Sequence, residues 1–208
     1  ALTVAALGGD PTAFGTKPDG TAIDLVAEGA YNWQGDDLGG QGLNGWIFAL
    51  LTVDAVGAKV PADARYSRQD MVDAIISAQL PDGGFSLGGG DMDVDITAMA
   101  LQALASYQQQ YPAVIDAALT TLSAAQTVNG GYESWGTENG ESCAQVILAL
   151  CALDIDPETD ERFQKADGNV IDALLAFRLA DGSFSHERGK KADAMACEQA
   201  MQALTAMA

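Results

Sequence analysis

Gln79-Leu80-Pro81-Asp82-Gly83-Gly84-Phe85 is the stretch that decides the fold, because it is not unique. It returns as Gln126-Thr127-Val128-Asn129-Gly130-Gly131-Tyr132 and, worn, as Arg178-Leu179-Ala180-Asp181-Gly182-Ser183-Phe184, at spacings of 47 and 52 residues. A recurring period of this size marks a repeat architecture. Each copy follows a helical pattern (71–78, 114–125, 170–177) and precedes another (96–107, 142–153, 194–207). The Asp-Gly or Asn-Gly step is expected to end the first helix, with glycine in the left-handed C-cap conformation, and the aromatic to pack back across the turn. Ser67 with Asp70 predicts a capping box, and Pro112 suits a first helical position.

The helices after each copy also repeat. Thr97-Ala98-Met99-Ala100-Leu101-Gln102-Ala103-Leu104 matches Cys143-Ala144-Gln145-Val146-Ile147-Leu148-Ala149-Leu150, then 197–204, and an earlier version at 43–50. They are apolar nearly all round and should be buried; the preceding helices, such as 70–76, are amphipathic and should lie outside. The result is an all-α fold with an inner and an outer ring of helices. Leu7-Gly8-Gly9-Asp10-Pro11 echoes Leu153-Asp154-Ile155-Asp156-Pro157, so the chain is expected to begin inside an inner helix, as a fragment of a longer protein. Residues 1–208 read as a single repeat domain.

The net charge is −19, and from Gln69 to Glu161 there are fifteen Asp or Glu and no Lys or Arg. A nucleic-acid binder needs cations against phosphates, so that class is excluded, and tight diphosphate binding is disfavoured. No apolar run approaches the roughly eighteen residues of a membrane span. Cys143 and Cys151 lie about 12 Å apart along one predicted helix, too far for a disulfide, so at most one bridge, to Cys197, could form.

Helix pairs of this length joined by Gln-x-x-Asp-Gly-Gly-Phe resemble the prenyltransferase and squalene-cyclase repeat, over nearly the whole chain. The implied fold is an α/α toroid. A full toroid has six hairpins; about four to five are counted here, so the ring is either incomplete or completed by sequence outside the chain. The runs 93–104 and 139–145 further resemble repeat domains of secreted or surface-attached proteins of Gram-positive bacteria, related in turn to the helical domain of cobalamin carriers. The resemblance implies an extracellular or cell-surface location.

Three site readings follow. Asp93-Val94-Asp95-Ile96-Thr97-Ala98 is similar to the Asp-x-Asp-Asp-Thr-Ala of cyclases, which makes Asp95 the general acid, with Asp93 beside it; Ile96 stands where those enzymes have a second Asp. Asp91, Asp93 and Asp95 also resemble the start of a calcium loop, although Ile96 and Gln102 fill its glycine and glutamate positions. Glu141, Cys143 and His186, the only histidine, are the analogues of a prenyltransferase zinc site, with Arg188, Lys190 and Lys191 nearby. The residues leave the cofactor open, with calcium ahead of zinc among the metals they could hold. Without a ligand, Asp93 and Asp95 read as N-terminal caps and Cys143 as a small buried hydrophobe. Cys197-Glu198-Gln199 has the wrong spacing for an internal thioester. Asp91, Trp46, Glu141, Gln145 and Glu198 are expected to face a ligand or, for the polar ones, to serve as caps.

The function expected is a non-catalytic binding or structural module of a larger secreted or cell-surface bacterial protein, with a protein, glycan or small molecule as partner. The alternatives are an isoprenoid cyclase or prenyltransferase and a corrinoid-binding domain.

Overall fold

In the computed structural model, which describes residues 1–208, eight α-helices carry the chain: α1 (Leu2–Ala6), α2 (Leu43–Ala55), α3 (Arg68–Ser77), α4 (Val94–Leu104), α5 (Pro112–Ala125), α6 (Gly140–Ala152), α7 (Val170–Leu175) and α8 (Ala194–Ala206). Short antiparallel hairpins of two-residue strands are the only sheets. The expected helices all form, with ends displaced by a few residues. The expected capping box is present: Ser67 accepts from the Asp70 N–H, and Asp70 accepts from the Ser67 N–H. Pro112 occupies the first turn of α5.

The chain packs as two compact units, 1–78 and 79–208. In the first, α2 packs on α3 and on a π-helical turn at Ala27–Tyr31, around Val26, Leu43, Ile47, Leu50, Met71, Val72 and Ile75. In the second, inner helices α4, α6 and α8 are successive neighbours, while outer helix α5 packs on α4 and α7 on α6. The outer helices bury one stripe each, as Ile115, Ala118, Leu119 and Leu122 do on α5, which is the spacing of a single helical face. The inner helices α4 and α6 are buried on most faces. Helix α8 departs from that expectation: it buries Ala196, Ala200 and Ala203 and leaves Met195 and Met201 exposed, since α6 is its main neighbour in the unit.

The repeated heptad has a definite job. Leu80, Thr127 and Leu179 each donate a backbone N–H across the turn, to Gly84, Gly131 and Ser183, and accept from Gly83, Gly130 and Gly182. Those glycines have φ of 91, 87 and 89°. The outer helix has already ended, so the glycine is not its C-cap as expected; it is the left-handed residue of a type I turn with a bulge. Space also demands glycine. A Cβ on Gly83 would lie 2.8 Å from the Ala117 carbonyl oxygen, and one on Gly130 would overlap the Asn169 carbonyl. The first residue of the motif ties the turn to the next outer element: Gln79 Nε2 donates to the Gly83 and Val114 carbonyls, Gln126 Nε2 to those of Gly130 and Phe163.

Left-handed caps occur instead at inner-helix ends. Gly8, Gly57 and Asp154 follow α1, α2 and α6 with φ of 78, 59 and 57°. Each closes paired backbone bonds of the Schellman type, such as Ile155 N–H to Leu150 O and Asp154 N–H to Cys151 O. The echo between residues 7–11 and 153–157 is therefore a shared helix ending.

Candidate functional site

Three inner helices begin alike. Asp93, Asn139 and Asp193 are the N-caps of α4, α6 and α8, accepting from backbone N–H groups of the first turn. Their own N–H groups bond to the carbonyls of Phe85, Tyr132 and Phe184, the aromatics of the repeated motif, all buried. Four residues on, Thr97 Oγ1 accepts from the Phe85 N–H at 2.9 Å, and Cys197 Sγ accepts from the Phe184 N–H at 3.2 Å. The Cys143 thiol faces the backbone of Tyr132 in the same way. Thr97, Cys143 and Cys197 are thus one structural position, a latch between motif and helix.

Two residues after each cap stand Asp95 on α4, Glu141 on α6 and Met195 on α8. These three line a cavity of about 600 Å³ together with Ser134, Trp135, Thr137, Asn139, His186, Asp193, Ala194 and Gln199. No Lys or Arg is among the lining residues. Glu141 Oε2 lies 3.0 Å from His186 Nδ1, which leaves Nε2 of the half-exposed imidazole unengaged. Asp95 Oδ1 is buried beside the hydroxyl of the fully buried Ser142, close enough for Ser142 to stabilise the carboxylate but short of a regular hydrogen bond, and no other side chain donates to either. Burial pushes the Asp95 carboxyl up to about 6; the charges of Asp93 and Glu141 push the same way, and Ser142 and His186 oppose them.

A row of amides runs into the site. Gln102 Nε2 donates to Gln145 Oε1 at 2.9 Å, and Gln145 Nε2 donates to Gln199 Oε1 at 3.0 Å. The orientation of each amide is fixed by the last, so Gln199 keeps its Nε2 donor for the cavity. At the rim, the hairpin of Glu133–Ser134 with Thr137–Glu138 turns through Trp135 and Gly136, with φ of 55 and 79°. The Trp135 side chain is 93% exposed.

A family model described as the prenyltransferase alpha-alpha toroid domain matches residues 40–208. The chain belongs to that family. No curated protein matches the chain. No helix is long and apolar enough to cross a membrane.

Within this toroid-family unit the sequence-derived candidates separate. Asp95, Glu141 and His186 come together. Asp93 lies just outside as a cap, and its side chain is spent on the Ile96 N–H. The calcium set does not assemble: Asp91 is exposed before the helix, Asp93 caps, and Asp95 turns into the cavity. Nor does the zinc set. Glu141 and His186 meet, but the fully buried Cys143 thiol faces the Tyr132 backbone and is not among the residues lining their cavity. No three His, Cys, Asp or Glu side chains converge at metal-binding distance anywhere in the structure. Gln145 acts through Gln199. Glu198 is exposed, accepts from Gln202, and lines an open depression with Leu148 and Met201. Trp46 lies in the first unit, stacked edge-on against Tyr66 with ring centroids 5.2 Å apart. Arg188 is engaged by Glu138 and lies over the Phe177 ring.

Trp135, Ser142, Met195 and Gln199 were not singled out in the sequence as ligand residues. The repeat register could have found Met195, which occupies the position of Asp95 and Glu141. Trp135 had the signal of a large aromatic followed by glycine between two strands.

Proposed function

We propose that the domain is a non-catalytic binding module of a secreted or cell-surface bacterial protein, and that it binds in the cavity at the N-termini of α4, α6 and α8. The observation that carries the reading is the desolvated carboxylate of Asp95 at the wall of that cavity, where the Ser142 hydroxyl is the one side-chain donor beside it. A desolvated carboxylate costs stability, and a ligand donor repays it. The extracellular location rests on the resemblance of 93–104 and 139–145 alone.

Asp95 in a cavity also favours the cyclase reading, and the chemistry weighs against it. Protonating an alkene needs a strong acid, whereas Asp95 is held at about 6, above the ordinary 3.8. Ile96, at the position of the second cyclase Asp, is buried in the core and cannot share a proton. Trp135 is the single Phe, Tyr or Trp ring of the lining, too few rings to surround a carbocation. Prenyl transfer lacks both a converging metal set and a cation for the diphosphate in this cavity. The corrinoid reading has no particular observation behind it.

The test combines turnover and binding. The domain is incubated with squalene and with farnesyl diphosphate plus a thiol peptide, and products are analysed by mass spectrometry. A small-molecule panel that includes a corrinoid is followed by ¹H–¹⁵N NMR. The expected result is no product, with ligand-induced shifts at Trp135, His186 and Gln199. A cyclised or prenylated product that disappears in Asp95→Asn overturns the reading.

A further inference from the structure

The cavity is graded. Its inner end holds two carboxylates, Asp95 and Glu141, and one imidazole; its rim holds Trp135 and Met195, both exposed. Asn139 Oδ1 and Asp193 Oδ1 serve as caps and Glu141 Oε2 is held by His186, so the carboxylate acceptors left for a ligand are those of Asp95, Glu141 Oε1 and Asp193 Oδ2. Asp95 and Glu141 repel one another, and His186, already paired with Glu141, is the one basic side chain in the lining; no Lys or Arg is there. A neutral ligand would strip water from both carboxylates and leave Asp95 without a charged partner. A cation with N–H donors removes the repulsion and supplies donors to the free carboxylate oxygens together.

The rim narrows the cation further. Trp135 presents an indole face and Met195 a thioether, which suit a methylene chain and an ammonium passing an aromatic ring. A bare divalent ion would use neither, and finds no third converging ligand here. We propose, on the basis of the binding-module reading, that this cavity takes an alkylammonium group: the ammonium sits between Asp95 and Glu141, its carbon stem lies along Met195 and Trp135, and the Gln199 amide donates to an acceptor farther along the ligand. That chemistry is carried both by a lysine side chain of a polypeptide and by a free alkyl diamine.

The test uses the chain itself in ¹H–¹⁵N NMR titrations, reading the Trp135 indole N–H and the Gln199 side-chain amide. The probes are Nα-acetyl-lysine N-methylamide for the side chain, 1,5-diaminopentane for the free diamine, the Nε-acetylated lysine derivative, methyl glucoside, and CaCl₂. Saturable shifts at both reporters with either amine are expected, and none with the acetylated derivative. Which amine binds more tightly identifies the source. Asp95→Asn and Trp135→Ala, one isosteric and one on an exposed loop, should each weaken binding roughly tenfold or more. The inference is overturned if neither amine shifts the reporters, or if both variants bind as the parent does. Saturation by methyl glucoside or Ca²⁺ in place of the amines overturns the alkylammonium assignment and leaves the binding-module reading standing.

Discussion

Replacing Asp95 by Asn should stabilise the domain at neutral pH. The folded carboxyl sits at about 6, above the ordinary 3.8, so folding favours its protonated form. Its contribution is therefore fully favourable below pH 3.8 and is lost as pH rises through about 6. The interval from 3.8 to about 6 is worth about 3 kcal/mol at about 1.36 kcal/mol per pH unit. Asn keeps the shape, removes the charge facing Asp93, Glu141 and His186, and adds an N–H₂ donor beside Ser142. At pH 8 the variant should gain up to about 3 kcal/mol, or roughly 5–10 °C in Tm for a chain of this size. At pH 4 the gain should fall to within about 0.5 kcal/mol of zero. Urea unfolding followed by circular dichroism at both pH values measures it. A variant no more stable than the parent at pH 8, or a gain equal at the two pH values, refutes the argument that Asp95 is held ionised against its surroundings. Such a residue is a stability cost retained at a site, which is the pattern of a binding group.

Further outcomes follow from the same geometry. Gly130→Ala should lose about 2–4 kcal/mol in urea unfolding, because its φ is 87° and a Cβ would overlap the Asn169 carbonyl. Gly20→Ala, with the same φ and open space around it, should lose only about 1 kcal/mol, and equal losses would discount the close approach. Ser142→Ala should move the Asp95 titration, followed by carboxyl ¹³C NMR, to higher pH, since Ser142 holds it down; a downward move contradicts the assigned contact. Cys143 should resist a disulfide reagent at pH 8 until the chain unfolds, given its thiol near 12, and Cys143→Thr should fold, because Thr97 already fills the equivalent latch. Rapid labelling of Cys143 in the native state would contradict its burial.

The helices were legible because their signals are local. Alternating amphipathic and apolar patterns, Ser67 with Asp70, and Pro112 each act within a turn or two of the chain, and each is found where its spacing placed it. The motif glycines were legible as necessary, but their reason was not. Whether Gly83 and Gly130 cap a helix or sit in a turn depends on where the helix stops, and the pressure on them comes from Ala117 and Asn169, 34 and 39 residues away in sequence.

The candidate site divided along the same line. Sequence brought forward Asp95, Glu141 and His186 as chemically able residues, but grouped them with wrong companions. Asp91, Asp93 and Asp95 alternate in sequence, yet the chain passes from extended to helical at Asp93, so their side chains diverge. Cys143 lies two residues from Glu141, and on a helix that spacing turns it about 200° away, into the core. What the sequence determined by itself was the repeat, the all-helical class and the lack of cations through the middle of the chain, since periodicity and composition are properties of the chain alone. Only tertiary structure decided that Asp95 and Glu141 share a cavity with Gln199 and Trp135, because burial and desolvated carboxylates arise when α4, α6 and α8 pack side by side and leave their N-termini open.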